Sequence, residues 1–181
     1  MKKLISFVIF AICLSTFTGA IAETKPVQLS LTPDIAVHDK DAYIKGLTLN
    51  IWGENPQSAL ALGFVNGATG DSKGFSLGIF LNYAENYKGV QWSLVNYTKS
   101  DFVGWQTGII NYNKGLTKGL QSGVANYSDS FTGLQLGVVN YAATMKKGVQ
   151  IGVINIIREN EWFTNLPNEF AKGMTIVNWR F

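Results

Sequence analysis

The chain predicts an all-β fold of about ten short strands, and three features carry the prediction. A Gly-x-Gln-x-Gly-x-x-Asn-Tyr pattern recurs about every fifteen residues, each copy alternates apolar and polar positions, and nineteen glycines stand against four prolines in 181 residues. Alternation with period two is the strand signature, because successive side chains point to opposite faces. Glycine in a helix interior costs roughly 1 kcal/mol relative to alanine, so a helical bundle is excluded. With 46% apolar and 15% charged residues, the composition suits a single ordered domain rather than a disordered chain.

In chain order, Met1–Ala22 reads as a secretory signal: Lys2 and Lys3 lead, Leu4–Leu14 are apolar, and Ala20-Ile21-Ala22 offers a small-x-small cleavage site before Glu23. The apolar run is about half the roughly 20 residues of a spanning helix. Cys13 falls inside this segment, so the domain 23–181 has no cysteine for disulfides or thiolate chemistry. Without the two leader lysines, 13 basic residues face 12 acidic ones, and a nucleic-acid footprint is not expected.

Val27–Thr32 reads as an opening strand, followed by the loop Pro33–Ala42. Repeat copies follow. Gly104–Tyr112, Gly119–Tyr127 and Gly133–Tyr141 match in full, Gly89–Tyr97 replaces the second glycine with Ser93, and Gly148–Ile156 replaces the tyrosine. Earlier copies are looser, at Gly74–Tyr83, Ala59–Gly67 and Gly46–Trp52. The asparagines at 66, 82, 96, 111, 126, 140 and 155 advance by 16, 14, 15, 15, 14 and 15 residues. After the long break Ile157–Lys172, Met174–Phe181 reads as a closing strand. Leu134, Leu136, Trp92, Leu94, Ile151 and Val153 are expected on one continuous apolar surface, with the Gly and Gln positions on the opposite face. Phe102, Phe131 and Tyr87 fall on that second face and read as plugs beneath the turns.

Two architectures accommodate this unit. In an antiparallel meander closed into a barrel, each copy is one strand; in a β-solenoid, each copy is one coil and equal positions stack. The even strand count, two long connections on the same side and the terminal Trp179-Arg180-Phe181 favour an outer-membrane barrel. Repeated Asn and Gln columns favour the solenoid, where stacked amides hydrogen-bond along the axis.

The tandem Gly-Leu-Gln-x-Gly-x-x-Asn-Tyr units at Gly119–Tyr127 and Gly133–Tyr141, after a signal-like start and before Asn178-Trp179-Arg180-Phe181, resemble the bacterial surface repeat-containing proteins over roughly Gly46–Phe181. That resemblance implies an exported cell-envelope β protein and no catalytic residues.

The chemistry-bearing residues are sparse. His38 with Asp39 and Asp41 reads as a solvated polar loop, lacking calcium-loop spacing. Glu159 and Glu161 imitate a carboxylate pair, but alternate residues in a loop are poor evidence for one. The glycine motifs lie in strands with no following helix to receive a phosphate. No cofactor or catalysis is expected. Arg158, Glu159, Glu161, Trp162 and Phe163 form a candidate surface-contact patch, or a cap over one end. The columns Asn96, Asn111, Asn126, Asn140 and Gln106, Gln121, Gln135, Gln150 read as structural ladders satisfying one another. The expected function is a small outer-membrane barrel with a structural or surface-interaction role and membrane lipid as its partner. The alternative is a secreted or surface-attached β-solenoid that binds a glycan or other polymer along its ladder face.

Overall fold

A computed structural model describes residues 23–181; the signal-like segment Met1–Ala22, with Cys13, lies outside the described residues. The strands are β1 (Thr24–Thr32), β2 (Ile35–Ala36), β3 (Tyr43–Asn55), β4 (Gln57–Trp92), β5 (Val95–Thr98), β6 (Phe102–Thr107), β7 (Ile110–Ile157) and β8 (Gly173–Arg180). No helix occurs among the described residues. The fold is a β-solenoid of about seven turns, not a barrel. β3 to β7 pair in parallel, equal repeat positions in register: Gly104 lies between Gly89 and Gly119, and Asn96 between Asn82 and Asn111. The antiparallel meander is thereby corrected. The amide columns explain why, since only stacking of equal positions lets each asparagine meet another.

Each coil has two sides joined by a corner. The Gly-x-Gln-x-Gly side turns its glutamine inward, the corner carries the second glycine and an aliphatic residue, and the x-Asn-Tyr side turns its asparagine inward. Gln91, Gln106, Gln121, Gln135 and Gln150 are buried, as are Asn82 to Asn155 of the other column. Each asparagine Nδ2 donates to the next one's Oδ1: Asn96 to Asn111 at 2.9 Å, Asn111 to Asn126 at 2.8 Å and Asn126 to Asn140 at 2.8 Å. The second Nδ2 hydrogen goes to the following coil's backbone, as from Asn111 to the Ser122 carbonyl at 3.0 Å. The glutamines donate the other way along the axis, Gln121 to Gln106 at 3.1 Å and Gln135 to Gln121 at 2.7 Å. Buried amides need partners, and here each column member is bonded to its own copy, with Gln150 Oε1 at the end of the glutamine column left without one.

The interior under the opposite edge is filled by Tyr87, Phe102, Phe131 and Met145, with Ala68, Ala84 and Ala142 beside them. The plugs expected from their parity are in place. Gly104 holds φ at +140°, and a Cβ there would run into the Gly89 carbonyl oxygen. At Gly104 the adjacent coil approaches too closely for a side chain, although the same column carries Ala59 in an earlier, looser copy.

The looser first unit is explained by an exchange. Gly53 occupies the register position of Asn66, while Asn50, three residues earlier, extends its side chain into that space and donates to Asn66 Oδ1 at 2.9 Å.

Both ends are closed. At the first coil, β2 pairs antiparallel with β1, and the Gln28 amide exchanges two hydrogen bonds with the His38 backbone, at 2.7 and 2.9 Å. At the last, β8 lies antiparallel on β7 with Asn178 over Gln150 and Trp179 over Val149. The pairing shifts between Gly152 and Asn155, and Ile176 beside the shift takes a positive φ of 70°.

Candidate binding surface

With the amides inside, the apolar positions of the repeat face outward. Trp92, Trp105, Ile109, Ile110, Val124, Val138, Ile151 and Val153 are all among the exposed residues, Val153 at 60%. Of the residues expected on the apolar surface, Trp92, Leu94, Ile151 and Val153 are exposed on the outside of the solenoid and Leu134 and Leu136 are half-buried. The stretches 46–53, 59–66, 74–82, 89–96, 104–111, 119–126, 133–140 and 148–155, which form this outer wedge, contain no Asp, Glu, Lys or Arg. Monomeric soluble proteins rarely expose contiguous apolar patches beyond a few hundred Å². At the N-terminal end the same surface deepens into a groove of about 790 Å³, lined by Leu29, Leu31, Val37, Leu49, Phe64 and Ile79.

Two rows border the wedge. Immediately before the first glycine column stand Lys45, Lys73, Lys88, Lys118 and Lys147, all exposed, with Ser58, Val103 and Thr132 at the same position in the other coils. Immediately after the asparagine column stand Tyr83, Tyr97, Tyr112, Tyr127 and Tyr141. The rings of the last four stack along the axis with centroids 5.9, 4.5 and 5.0 Å apart and planes within 18°. Their faces are covered by one another, so this row offers edges and hydroxyls outward instead of the flat faces on which sugars stack. The Tyr127 hydroxyl donates to Asp129 at 2.7 Å, and that bond to a carboxylate pushes its pKa up to about 12. Tyr83 donates to Glu54 at 2.6 Å, and burial first, then that bond, raises its pKa.

Each residue singled out in the sequence has a definite place. Asn96, Asn111, Asn126, Asn140, Gln106, Gln121, Gln135 and Gln150 lie inside the coil at no more than 2% exposure. A ligand cannot reach them, which removes the ladder face as a polymer track. Arg158, Glu159, Glu161, Trp162 and Phe163 lie on the segment that closes the last coil. Glu159 accepts from the Met145 backbone N–H at 2.7 Å and pairs with Arg180, which also pairs with Glu169 at 3.0 Å. Asn160, buried, donates to the carbonyls of Ala171 and Trp179. Glu161, Trp162 and Phe163 remain exposed, so the segment is a cap with an aromatic outer skin. The carboxylates of Glu159 and Glu161 do not share a site, because Glu159 is held by the cap. His38 is engaged through its backbone, and Asp39 likewise gives its carbonyl to Asn55.

Sequence reasoning missed the inward residues two positions after the asparagines, Thr98, Asn113 and Ser128, and their neighbour Thr117, all fully buried. The signal was the same period of two, continued past the tyrosine into stretches that read as turns. It also missed the lysine row, which emerges when the copies are aligned on their first glycine. Among the described residues, no group of three or more His, Cys, Asp or Glu is placed to hold a metal ion. No family model matches the chain, and neither a curated protein nor a solved structure shows similarity to it.

Proposed function

We propose that this chain is an exported, surface-attached β-solenoid that works as a non-catalytic binding module of the cell envelope, and that it binds through its outer wedge. The observation that carries this reading is the charge-free apolar outside maintained over eight successive repeat copies while every repeated amide is turned inward. Exposed apolar surface on this scale is costly in water unless something covers it. The signal-like start and the resemblance to surface repeat proteins support export.

Fractionation of cells making the full chain tests this. Wild-type protein is expected in the envelope fraction with Glu23 as its first residue, and Ile109→Asp, at a half-exposed position, is expected to move it to the soluble fraction with its β-sheet spectrum intact. Recovery of the wild type as a soluble cytoplasmic protein, or full retention of the folded Ile109→Asp variant in the envelope, overturns the reading.

A further inference from the structure

We infer that the outer wedge docks on an anionic lipid surface, with the solenoid lying along the membrane and its lysine row at the level of the headgroups. This inference rests on the reading of the chain as a surface-attached module and names its partner.

The first observation is the placement of charge. Lys45, Lys73, Lys88, Lys118 and Lys147 recur at one border of the apolar wedge and are spread over seven coil spacings, roughly 34 Å at about 4.8 Å each. All five are exposed, and none is among the ion pairs of the described residues. An amphipathic body that settles into a lipid interface buries its apolar face about 5–10 Å deep and sets lysines on the polar side toward anionic headgroups. Lysine stems reach along apolar surface while the ammonium stays wet. The opposite border carries the tyrosine row, a residue type enriched at membrane–water interfaces.

The nearby carboxylates belong to the linker edge, where Asp71 stands exposed beside Lys73 and three others are held by hydrogen bonds. Asp101 Oδ1 accepts from the Leu116 N–H at 3.1 Å, Glu85 from the Gly70 N–H at 2.8 Å, and Asp129 from Tyr127. They do not interrupt the wedge.

The second observation is shape. The apolar columns wrap a corner: Trp105 lies on one side of the coil, Ile109 at the turn and Ile110 beyond it, all exposed. A rigid second copy laid against a convex edge covers only the rows nearest the corner. Acyl chains are fluid and cover both flanks, so lipid fits this surface better than another solenoid does.

Purified exported chain is sedimented with phosphatidylcholine vesicles and with vesicles in which roughly a third of the lipid is phosphatidylglycerol. Binding to the anionic vesicles is expected, together with a blue shift of tryptophan emission as Trp92 and Trp105 leave water. Lys73→Gln/Lys88→Gln/Lys118→Gln removes three exposed charges without touching the interior, and should bind the anionic vesicles roughly 100-fold more weakly while its circular dichroism is unchanged. Equal binding of the folded triple variant overturns the lysine row. Failure of the wild type to bind either vesicle, while Ile109→Asp still releases the chain from the envelope, overturns lipid as the partner and leaves a protein or glycan on the wedge; a stable dimer indifferent to vesicles does the same in favour of a second copy. If Ile109→Asp releases nothing, the functional reading itself fails.

Discussion

Gln106 and Asn113 exchange two hydrogen bonds across the inside of one coil, Gln106 Nε2 to Asn113 Oδ1 at 3.0 Å and Asn113 Nδ2 to Gln106 Oε1 at 2.8 Å. The pair ties the two sides of the coil together. Gln106 is also in the glutamine ladder, giving Nε2 to Gln91 Oε1 at 2.8 Å and accepting from Gln121. Asn113→Ala is therefore expected to destabilise by about 1–3 kcal/mol, the usual range for leaving a buried polar partner incompletely satisfied. A cycle with Gln106→Ala, read by urea unfolding, should show the two substitutions to be strongly non-additive.

Two glycines with positive φ should respond very differently to alanine. At Gly104 the φ of +140° and the neighbouring Gly89 carbonyl both oppose a Cβ, and Gly104→Ala should cost about 3 kcal/mol or more. Gly70, at φ +56° with open space around it, should lose only about 1 kcal/mol. Thermal unfolding of the two variants side by side checks the ranking.

Alkaline pH addresses the tyrosine border. The Tyr127 hydroxyl holds its proton more tightly because it donates a hydrogen bond to the Asp129 carboxylate, so its pKa in the fold, about 12, lies above the unfolded value near 10. A pKa raised by folding means that this stabilisation is fully present below about pH 10 and is lost as pH rises through about 12. Ultraviolet titration of tyrosinate should show one tyrosine ionising at lower pH in Asp129→Asn than in the wild type, and Tyr127→Phe should remove that difference.

The C-terminal cap should fray when its centre is cut. Arg180 holds Glu159 and Glu169, and Trp179 stacks on Phe170 with centroids 4.3 Å apart. Arg180→Ala is expected to speed amide exchange across 148–157 and to open Arg158 to trypsin, while the exchange of 104–126 stays as in the wild type. Uniform acceleration along the chain would show that the cap holds the whole solenoid and not its last coil alone.

The sequence made the all-β class, the repeat and the partners of the asparagines legible, because Asn96, Asn111, Asn126 and Asn140 recur at the spacing of a coil. It did not separate solenoid from barrel by its apolar pattern. Leu134 and Leu136 alternating with Gly133, Gln135 and Gly137 is what a lipid-facing barrel strand shows, polar inside and apolar outside, and a narrow coil filled with amides has the same arrangement. The even strand count and terminal aromatics pointed to the barrel, and the parallel stacking of equal repeat positions overturns that inference. The cap was legible as one of two roles for Ile157–Lys172, and the long-range pairing of Glu159 with Arg180 shows the segment closing the last coil while Trp162 and Phe163 stay exposed. Asn50 standing in at the position of Gly53 was illegible, since a side chain reaching across three residues leaves no mark on the period.

The opposed directions of the two amide ladders have an electrical consequence. Every side-chain amide is a small dipole, and a column of them donating one way along the axis would sum to a moment growing with each coil, as the peptide dipoles of a helix do. Here Asn126 donates toward the C-terminal end and Gln135 toward the N-terminal end, so the two columns largely cancel. A coil inserted between Gly104 and Gly133 adds one member to each column and almost no axial moment. The number of repeats is thus free of an electrostatic ceiling, and the fold can lengthen or shorten by whole coils without gathering charge at its ends.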